Sequence, residues 1–376
     1  MPLTVGVLKE AHEGETRVAL TPEISAKLQK LGVKVIMEHG AGGGCKILDE
    51  DYKDVSFTDA SGVLKGCGLL LTVQPPTASN VNSLQDAATV AGIMHGHLNA
   101  DLVRALQNKK HNGFAMELIP RISRAQSMDV LSSQAAAAGY EAVLIAALTL
   151  DKFFPMLTTA AGTIRPAQVL IIGAGVAGLQ AIATARRLGA IVKGYDVRGA
   201  TKEQVESLGA KFVDTGVSAE GEGGYARELT SEEKAQQQAA LDKEIAVSDV
   251  VITTAAIPGR PAPKIISAAA VKAMKPGAVI VDIAAETGGN CELTVAGETV
   301  EKHDVKIVGP VNLAARLGRH ASEMYARNLF NFLSPAIKEG ELAIDWEDEV
   351  FAKSALTRDG QIVHAPTREK IEGGAS

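Results

Sequence analysis

Gln168-Val169-Leu170-Ile171-Ile172-Gly173-Ala174-Gly175-Val176-Ala177-Gly178 is a short apolar strand that runs into three glycines spaced G-x-G-x-x-G. A helical pattern follows from Leu179 to Leu188, a second strand from Ile191 to Tyr195, and Asp196 closes that strand with a carboxylate. A glycine triplet alone is a weak signal, but a strand before it, a helix after it and an acid about 20 residues on make it specific. Gly173 permits the tight turn out of the strand, Gly175 lets backbone approach a pyrophosphate, and Gly178 lets the helix pack closely on the strand. The helix N-terminus aims unpaired N–H groups and partial positive charge at the phosphates. Gly173, Gly175, Val176, Ala177 and Gly178 are therefore expected on the pyrophosphate of a dinucleotide. Asp196 would accept both adenosine-ribose hydroxyls and repel a 2′-phosphate, which favours NAD(H) over NADP(H). Arg198 is the exception to weigh, because an Arg nearby can accommodate that phosphate; it is read here as a solvated side chain. The alternative for the whole stretch is a strand-turn-helix whose glycines serve packing only.

Outward from this motif, 376 residues suggest two domains. With 38 basic and 44 acidic side chains the net charge is −6, so no basic surface argues for nucleic acid or for adhesion to anionic lipid. Cys45, Cys67 and Cys291 are scattered with no metal spacing and read as reduced thiols of a cytosolic protein. Met1 to Val5 leads into a strand without the pattern of a signal peptide. The most apolar run, Ala135 to Leu150, is shorter than the roughly 20 residues a bilayer span needs, and it is expected to be a buried helix. No membrane insertion is expected.

Before the motif, strands are expected at Thr4 to Leu8, Lys34 to Met37, Leu69 to Val73, Ala91 to Met94 and Phe114 to Leu118, alternating with helices as in a parallel sheet. Thr21-Pro22-Glu23 reads as a helix start with a Thr cap and Pro in the first turn. The run Gly40-Ala41-Gly42-Gly43-Gly44 has no helix-opening pattern behind it and reads as a flexible turn. After the motif, strands at Lys211 to Val213, Val250 to Thr253, Ala278 to Asp282 and Lys306 to Val308 bring the dinucleotide domain to six. A polar, Gly-rich insertion from Gly216 to Tyr225 is expected to be mobile, and Thr230 with Glu233 forms a capping box for the next helix. Ser322 to Leu333 reads as a helix, and Asp359-Gly360 signals a hairpin that returns to the first domain. The fold class is thus α/β in two domains, each a mainly parallel sheet with flanking helices, the second a dinucleotide-binding Rossmann fold. The expected division is 1–130 with 320–376, and 131–319 with a mobile loop near 216–230.

Two stretches are more particular than a generic dehydrogenase: Met116-Glu117-Leu118-Ile119-Pro120-Arg121-Ile122-Ser123-Arg124-Ala125-Gln126-Ser127-Met128-Asp129-Val130-Leu131-Ser132-Ser133-Gln134, and Asp196-Val197-Arg198 running into Thr201 to Gly209. With Ala160-Ala161-Gly162-Thr163 and Gly288-Gly289-Asn290-Cys291, they closely resemble the NAD(H)-binding component of proton-translocating nicotinamide nucleotide transhydrogenase over nearly the whole chain. Glu15 to Pro22 resembles alanine dehydrogenase more loosely. The transhydrogenase resemblance implies that Arg121, Gln126 and Asp129, with Ser132 just beyond, hold the nicotinamide half of the nucleotide. It implies that Val197 and Arg198 join Asp196 at the adenosine end, and that Tyr225 belongs to a lid over bound nucleotide. It also implies a homodimer, NADP(H) on a partner component, a proton-translocating membrane component, and a place on the cytoplasmic face of the inner membrane through those partners. From residue type alone, the loop after Pro120 would equally be a solvated turn or a helix cap.

The reaction separates the two resemblances. Oxidising an amino acid needs a proton acceptor and groups that hold the substrate carboxylate. Alanine dehydrogenases place a Lys where this chain has Gln74 and an Asp where it has Glu286. His95 and His97 lie near that family's catalytic His, but a His-Gly-His turn is more often structural. Hydride transfer between two nicotinamides needs no general base; it needs two rings held in contact with water excluded. The expectation is the NAD(H)-side half of a transhydrogenase. An alanine-dehydrogenase-like oxidoreductase and a non-catalytic NAD-sensing module are the alternatives. No metal site is expected.

Overall fold

The computed structural model describes residues 2–217, 230–256 and 260–373. The chain divides into two compact units, Met1–Gln134 with Ala314–Ser376, and Ala135–Leu313.

The first unit is built on an eight-stranded sheet. From one edge its order is Gln361–Ile362, Ala355–Arg358, Asn112–Ala115, Thr89–Gly92, Leu69–Leu71, Thr4–Val7, Lys34–Glu38 and Ser56–Thr58. The six strands from the N-terminal part of the chain pair in parallel, and the central Leu69–Leu71 and Thr89–Gly92 are buried at every position, as strands covered on both faces must be. The tail hairpin joins antiparallel, Ala355 opposite Phe114, with Asp359 and Gly360 both at positive φ in its two-residue turn. An aromatic cluster of Phe114, Phe332, Phe351 and Trp346 packs at this junction. The hairpin's return to the first sheet therefore follows the sequence reading.

Several local expectations are corrected. Ser56–Thr58 adds a strand that three residues of mixed polarity do not announce. Thr21 precedes the helix Pro22–Lys30 but makes no side-chain cap, and its hydroxyl is buried without a partner. The Gly40 to Gly44 run is a packed turn: a Cβ on Gly42 would lie 2.6 Å from the Ile47 carbonyl oxygen, and one on Gly44 would lie 2.8 Å from that of Thr16. Gly42 and Gly44 make room for neighbouring backbone, whereas a Cβ on Gly40 or Gly43 would meet nothing within 4 Å.

The second unit holds a seven-stranded sheet ordered Lys211–Phe212, Ile191–Tyr195, Gln168–Ile172, Val250–Thr253, Val279–Asp282, Val305–Val308 and Thr299–Lys302. Six are parallel, in the doubly wound order expected of a dinucleotide fold. The seventh, Thr299–Lys302, is an antiparallel edge strand that the six-strand reading lacks. The capping box of Thr230 and Glu233 opens the helix Ser231–Val247 as expected. The apolar run, all but its last residue Leu150, lies in a 20-residue helix, Val130–Thr149, longer than the sequence suggested, and by length and composition alone that helix is sufficient to cross a bilayer. Ala142, Val143 and Ala146 of this helix are fully buried in the second unit's core.

Candidate functional site

In the second unit, the parallel strands Gln168–Ile172 and Val250–Thr253 lie side by side, and the chain leaves them in opposite directions across the sheet. Gly173 turns out of the first with φ +99, a conformation that disfavours any Cβ. Gly175 is the N-cap of the helix Val176–Arg187, makes no side-chain cap, and a Cβ there would meet nothing within 4 Å. The first-turn N–H groups of such a helix have no intrahelical partner. At Gly178 the opposite holds, since a Cβ would lie 1.7 Å from the Gly173 carbonyl oxygen. The open position and the packed position fall where a pyrophosphate-binding turn requires them, so these residues fit a dinucleotide. Sequence reasoning missed what backs the turn. Gly139 in the helix Val130–Thr149 lies so close that a Cβ would sit 2.1 Å from the Ala177 carbonyl oxygen. Thr254 Oγ1 donates to the Gly173 carbonyl at 3.1 Å. Asn290, fully buried, donates to the carbonyls of Ala255 and Pro263 and accepts from Ala255 N at 3.0 Å, tying the loop after Val250–Thr253 in place.

Asp196 is nine-tenths buried at the end of the second strand. Ala174 N donates to Oδ2 at 2.7 Å, which ties the glycine turn to the acid that follows it 22 residues on. Arg198 is folded back on Asp196 rather than free in solvent: its N and Nε donate to Oδ1 at 2.9 Å and its Nη2 to Oδ2 at 2.8 Å. Burial pushes the Asp196 carboxyl up, but the bonds from Arg198 and Ala174 and the guanidinium charge outweigh it and hold the group below its ordinary range. Val197 is exposed beside it. A cavity of about 420 Å³ opens at this point, lined by Asp196, Val197, Lys202, Phe212, Asp214 and Gln237 among others, a size suited to a nucleoside end.

In the first unit, Arg121, Gln126, Asp129 and Ser132 lie on one segment. A 3-10 turn, Ser123–Met128, is anchored in the core by Ala125 and Met128 and leads into the helix Val130–Thr149. Asp129 accepts from Ser132 N at 2.9 Å and from Ser132 Oγ at 2.6 Å, so this pair caps the helix. Arg121 and Gln126 are exposed, and their side chains form no hydrogen bond or ion pair among the described residues. Tyr225 and the lid assigned to it fall in 218–229, outside the described residues.

The residues compared with alanine dehydrogenase are engaged internally. Arg17, 4% exposed, donates from Nε and Nη2 to the two oxygens of Glu15 at 2.8 and 2.6 Å, and from Nη1 to Gln134 at 2.8 Å. Gln74 Nε2 donates to Glu15 at 2.8 Å, and Glu286 is exposed and accepts from Asn312 N. Burial pushes the Glu15 carboxyl up, but Arg17 and Gln74 outweigh it and hold the group down at about 2. The His95 and His97 rings sit edge to face, 6.4 Å apart, and His95 N donates to Glu117. Among the described residues no group of His, Cys, Asp and Glu is placed to hold a metal ion.

Comparisons with known proteins agree with this geometry. Residues 6–138 match the family description "Alanine dehydrogenase/PNT, N-terminal domain", and residues 142–365 match "Alanine dehydrogenase/PNT, C-terminal domain". The chain is 47% identical to an NAD(P) transhydrogenase subunit alpha polypeptide of Rhodospirillum rubrum, over 96% of this chain and 98% of that one. It is 27% identical to alanine dehydrogenase of Mycolicibacterium smegmatis, over 98% and 97% of the two chains. The crystal structure of transhydrogenase from Sinorhizobium meliloti superposes with a TM-score of 0.88 at 45% identity, covering 96% of this chain and all of that one. Two family models that together match most of the chain, and near-full-length likeness stronger to a transhydrogenase alpha subunit polypeptide than to alanine dehydrogenase, establish that this chain belongs to the alanine dehydrogenase/PNT family, on its transhydrogenase side.

Proposed function

We propose that this chain is the NAD(H)-binding component of a proton-translocating transhydrogenase, active with an NADP(H)-binding partner component. The observation that carries the reading is the near-full-length likeness to a transhydrogenase alpha subunit. The glycine turn and the Val176 helix N-terminus hold the pyrophosphate, and Asp196, with Val197 and Arg198 beside it, holds the adenosine ribose. NAD(H) is the nucleotide taken, because a 2′-phosphate would face the Asp196 carboxylate. When bound, the nicotinamide ring supplies the hydride that passes to or from the partner's nucleotide. Arg121 binds ribose or phosphate oxygens, Asp129 and Ser132 orient the carboxamide, and Gln126 reaches toward the second nucleotide. None of these residues acts as a general base, and their shared task is to position two rings.

The word subunit in the relatives' names supports partner components, and the chain is further proposed to act as a homodimer on the cytoplasmic face of the inner membrane through them. The internal pairing of Arg17 with Glu15 and Gln134 leaves its guanidinium engaged, which weighs against a substrate carboxylate there. The test is to mix the purified chain with an NADP(H)-binding transhydrogenase component and follow hydride exchange by stopped flow, with alanine plus NAD run in parallel. Exchange without alanine-dependent NAD reduction is expected. Robust turnover of alanine would reverse the assignment, and NADH binding with neither reaction would leave an NAD-sensing module.

A further inference from the structure

In the segment from Arg121 to Ser133 the backbone is held, while the side chains of Arg121 and Gln126 form no hydrogen bond or ion pair among the described residues. Ser127 is the last residue but one of the 3-10 turn Ser123–Met128, and its carbonyl oxygen is bonded by side chains. Two amides from the helix Gly318–Leu333 take it up: Asn328 Nδ2 donates at 2.8 Å and Asn331 Nδ2 at 3.0 Å. These side chains are three residues apart and so lie on one helix face. Asn328, 7% exposed, uses its other end as well, accepting from Ser133 Oγ at 2.7 Å. Between Arg121 and Gln126, Arg124 is clamped to Asp348 by two bonds, Nη1 to Oδ2 at 2.9 Å and Nη2 to Oδ1 at 2.5 Å. Asp348 is itself fixed by accepting from Val350 N at 2.7 Å.

We infer that Asn328 and Asn331 are positioning residues for hydride exchange, which set the backbone at Ser127 and through it the placement of Gln126. The inference rests on the proposed role of Gln126, and it assigns a function to two asparagines whose amides are spent on the Ser127 carbonyl. A carbonyl has two acceptor directions, and both are filled here by donors from one rigid helix. Removing one donor leaves the turn attached but free to pivot about the other. A pivot of this kind moves Gln126 without removing any group from the nucleotide. Interactions realised only in the reacting arrangement govern the rate and leave ground-state binding largely unchanged.

The experiment compares Asn331→Ala, Asn331→Gln and Asn328→Asp with Gln126→Asn and the unmodified chain. NADH binding stoichiometry and affinity are measured by calorimetry, and exchange with a saturating NADP(H)-binding component is measured by stopped flow and expressed per bound NADH. Asn328→Asp keeps the acceptor for Ser133 but sets an oxygen against the Ser127 carbonyl. If the buried charge prevents folding, the half-buried Asn331→Ala carries the test. In Asn331→Ala and Asn328→Asp exchange per bound NADH is expected to fall by about tenfold or more, with affinity changed by no more than about threefold. Asn331→Gln, which keeps the amide, is expected to recover most of the rate. Exchange per bound NADH equal to that of the unmodified chain in both variants overturns the inference, as does a fall in affinity proportional to the fall in rate. A merely structural role would lower the number of binding sites and leave the rate per site alone. Unimpaired exchange in Gln126→Asn, by contrast, refutes the role of Gln126 and is read independently of the asparagine variants.

Discussion

Asp196 shows how much a single carboxylate can be asked to do. Its oxygens already accept four bonds, from Ala174 N and from the N, Nε and Nη2 of Arg198. That equals the number of lone-pair sites a carboxylate offers. On the proposed reading, a ribose diol at Asp196 requires the Arg198 guanidinium to move aside. Asp196→Ala is expected to weaken NADH binding by about 10- to 100-fold, the cost of hydrogen bonds to a charged group, and to narrow the preference over NADPH. Arg198→Met frees two acceptor positions and is expected to tighten NADH severalfold, on the order of one hydrogen bond's net worth, while weakening NADPH. Titration of both variants with both nucleotides checks this. Equal affinity of the unmodified chain for NADH and NADPH would refute the role of Asp196, and weaker NADH binding in Arg198→Met would refute the displacement. The spacing of Asp196 from the glycines was legible in the sequence. The fold-back of Arg198 was not, because it depends on a side-chain torsion that spacing does not encode.

At the scale of elements, the phosphate turn is pressed from behind and open in front. Gly139→Ala puts a methyl 2.1 Å from the Ala177 carbonyl oxygen, so the Val130–Thr149 helix must shift away from the Val176–Arg187 helix. A loss of about 1–3 kcal/mol in unfolding free energy is expected, the usual cost of forcing extra volume into packed structure. Gly175→Ala has open space around its methyl, so unfolding should change by less than about 0.5 kcal/mol. The same methyl occupies the approach of the pyrophosphate, so NADH binding should be lost. Thermal unfolding and NADH titration of the two variants give this crossed pattern; the reverse pattern would mean the turn does not face a phosphate. The strand, turn and helix were each readable from periodicity and glycine spacing. Nothing local in the sequence marks Gly139, because its partner Ala177 is 38 residues away in the chain.

For the molecule as a whole, stability should depend on pH through the Glu10 carboxylate of the first unit. Glu10 accepts from Val73 N at 2.6 Å and Gln74 N at 3.3 Å, and burial pushes its carboxyl from an ordinary 4.5 up to about 7. Between those values the folded chain binds more protons than the unfolded chain, so stability falls as pH rises. The contribution of protonated Glu10 is complete below about 4.5 and lost as pH passes about 7. Glu15, held down at about 2, has the opposite sense: its contribution is present above 4.5 and lost as pH falls toward 2. Glu10→Gln removes only the upper window. Trp346, the single Trp, stacks on Phe114 at 5.6 Å under the Arg358 guanidinium, so its fluorescence follows the first unit. Denaturant unfolding followed by Trp346 should show the unmodified chain gaining stability relative to Glu10→Gln as pH falls from 7 to 4.5. Parallel pH profiles would contradict this.

By itself the sequence determined the class of fold, the dinucleotide turn with its acid, and the capping-box helix. It also determined the return of the tail hairpin and the membership of the transhydrogenase side of the family. These are written in short-range patterns: period-two and helical spacing, glycines at fixed offsets, and turn residues whose backbone demands are local. Only the tertiary structure decided which glycines make room for neighbouring backbone, as at Gly42, Gly44 and Gly139, and which leave room for a ligand, as at Gly175. It alone added the edge strands Ser56–Thr58 and Thr299–Lys302, too short and polar to stand out, and left Thr21 uncapped. It also paired Asn328 and Asn331 with a carbonyl about 200 residues earlier. Such contacts join parts of the chain that share no local pattern, and they are chosen by what the folded core brings within a few ångströms.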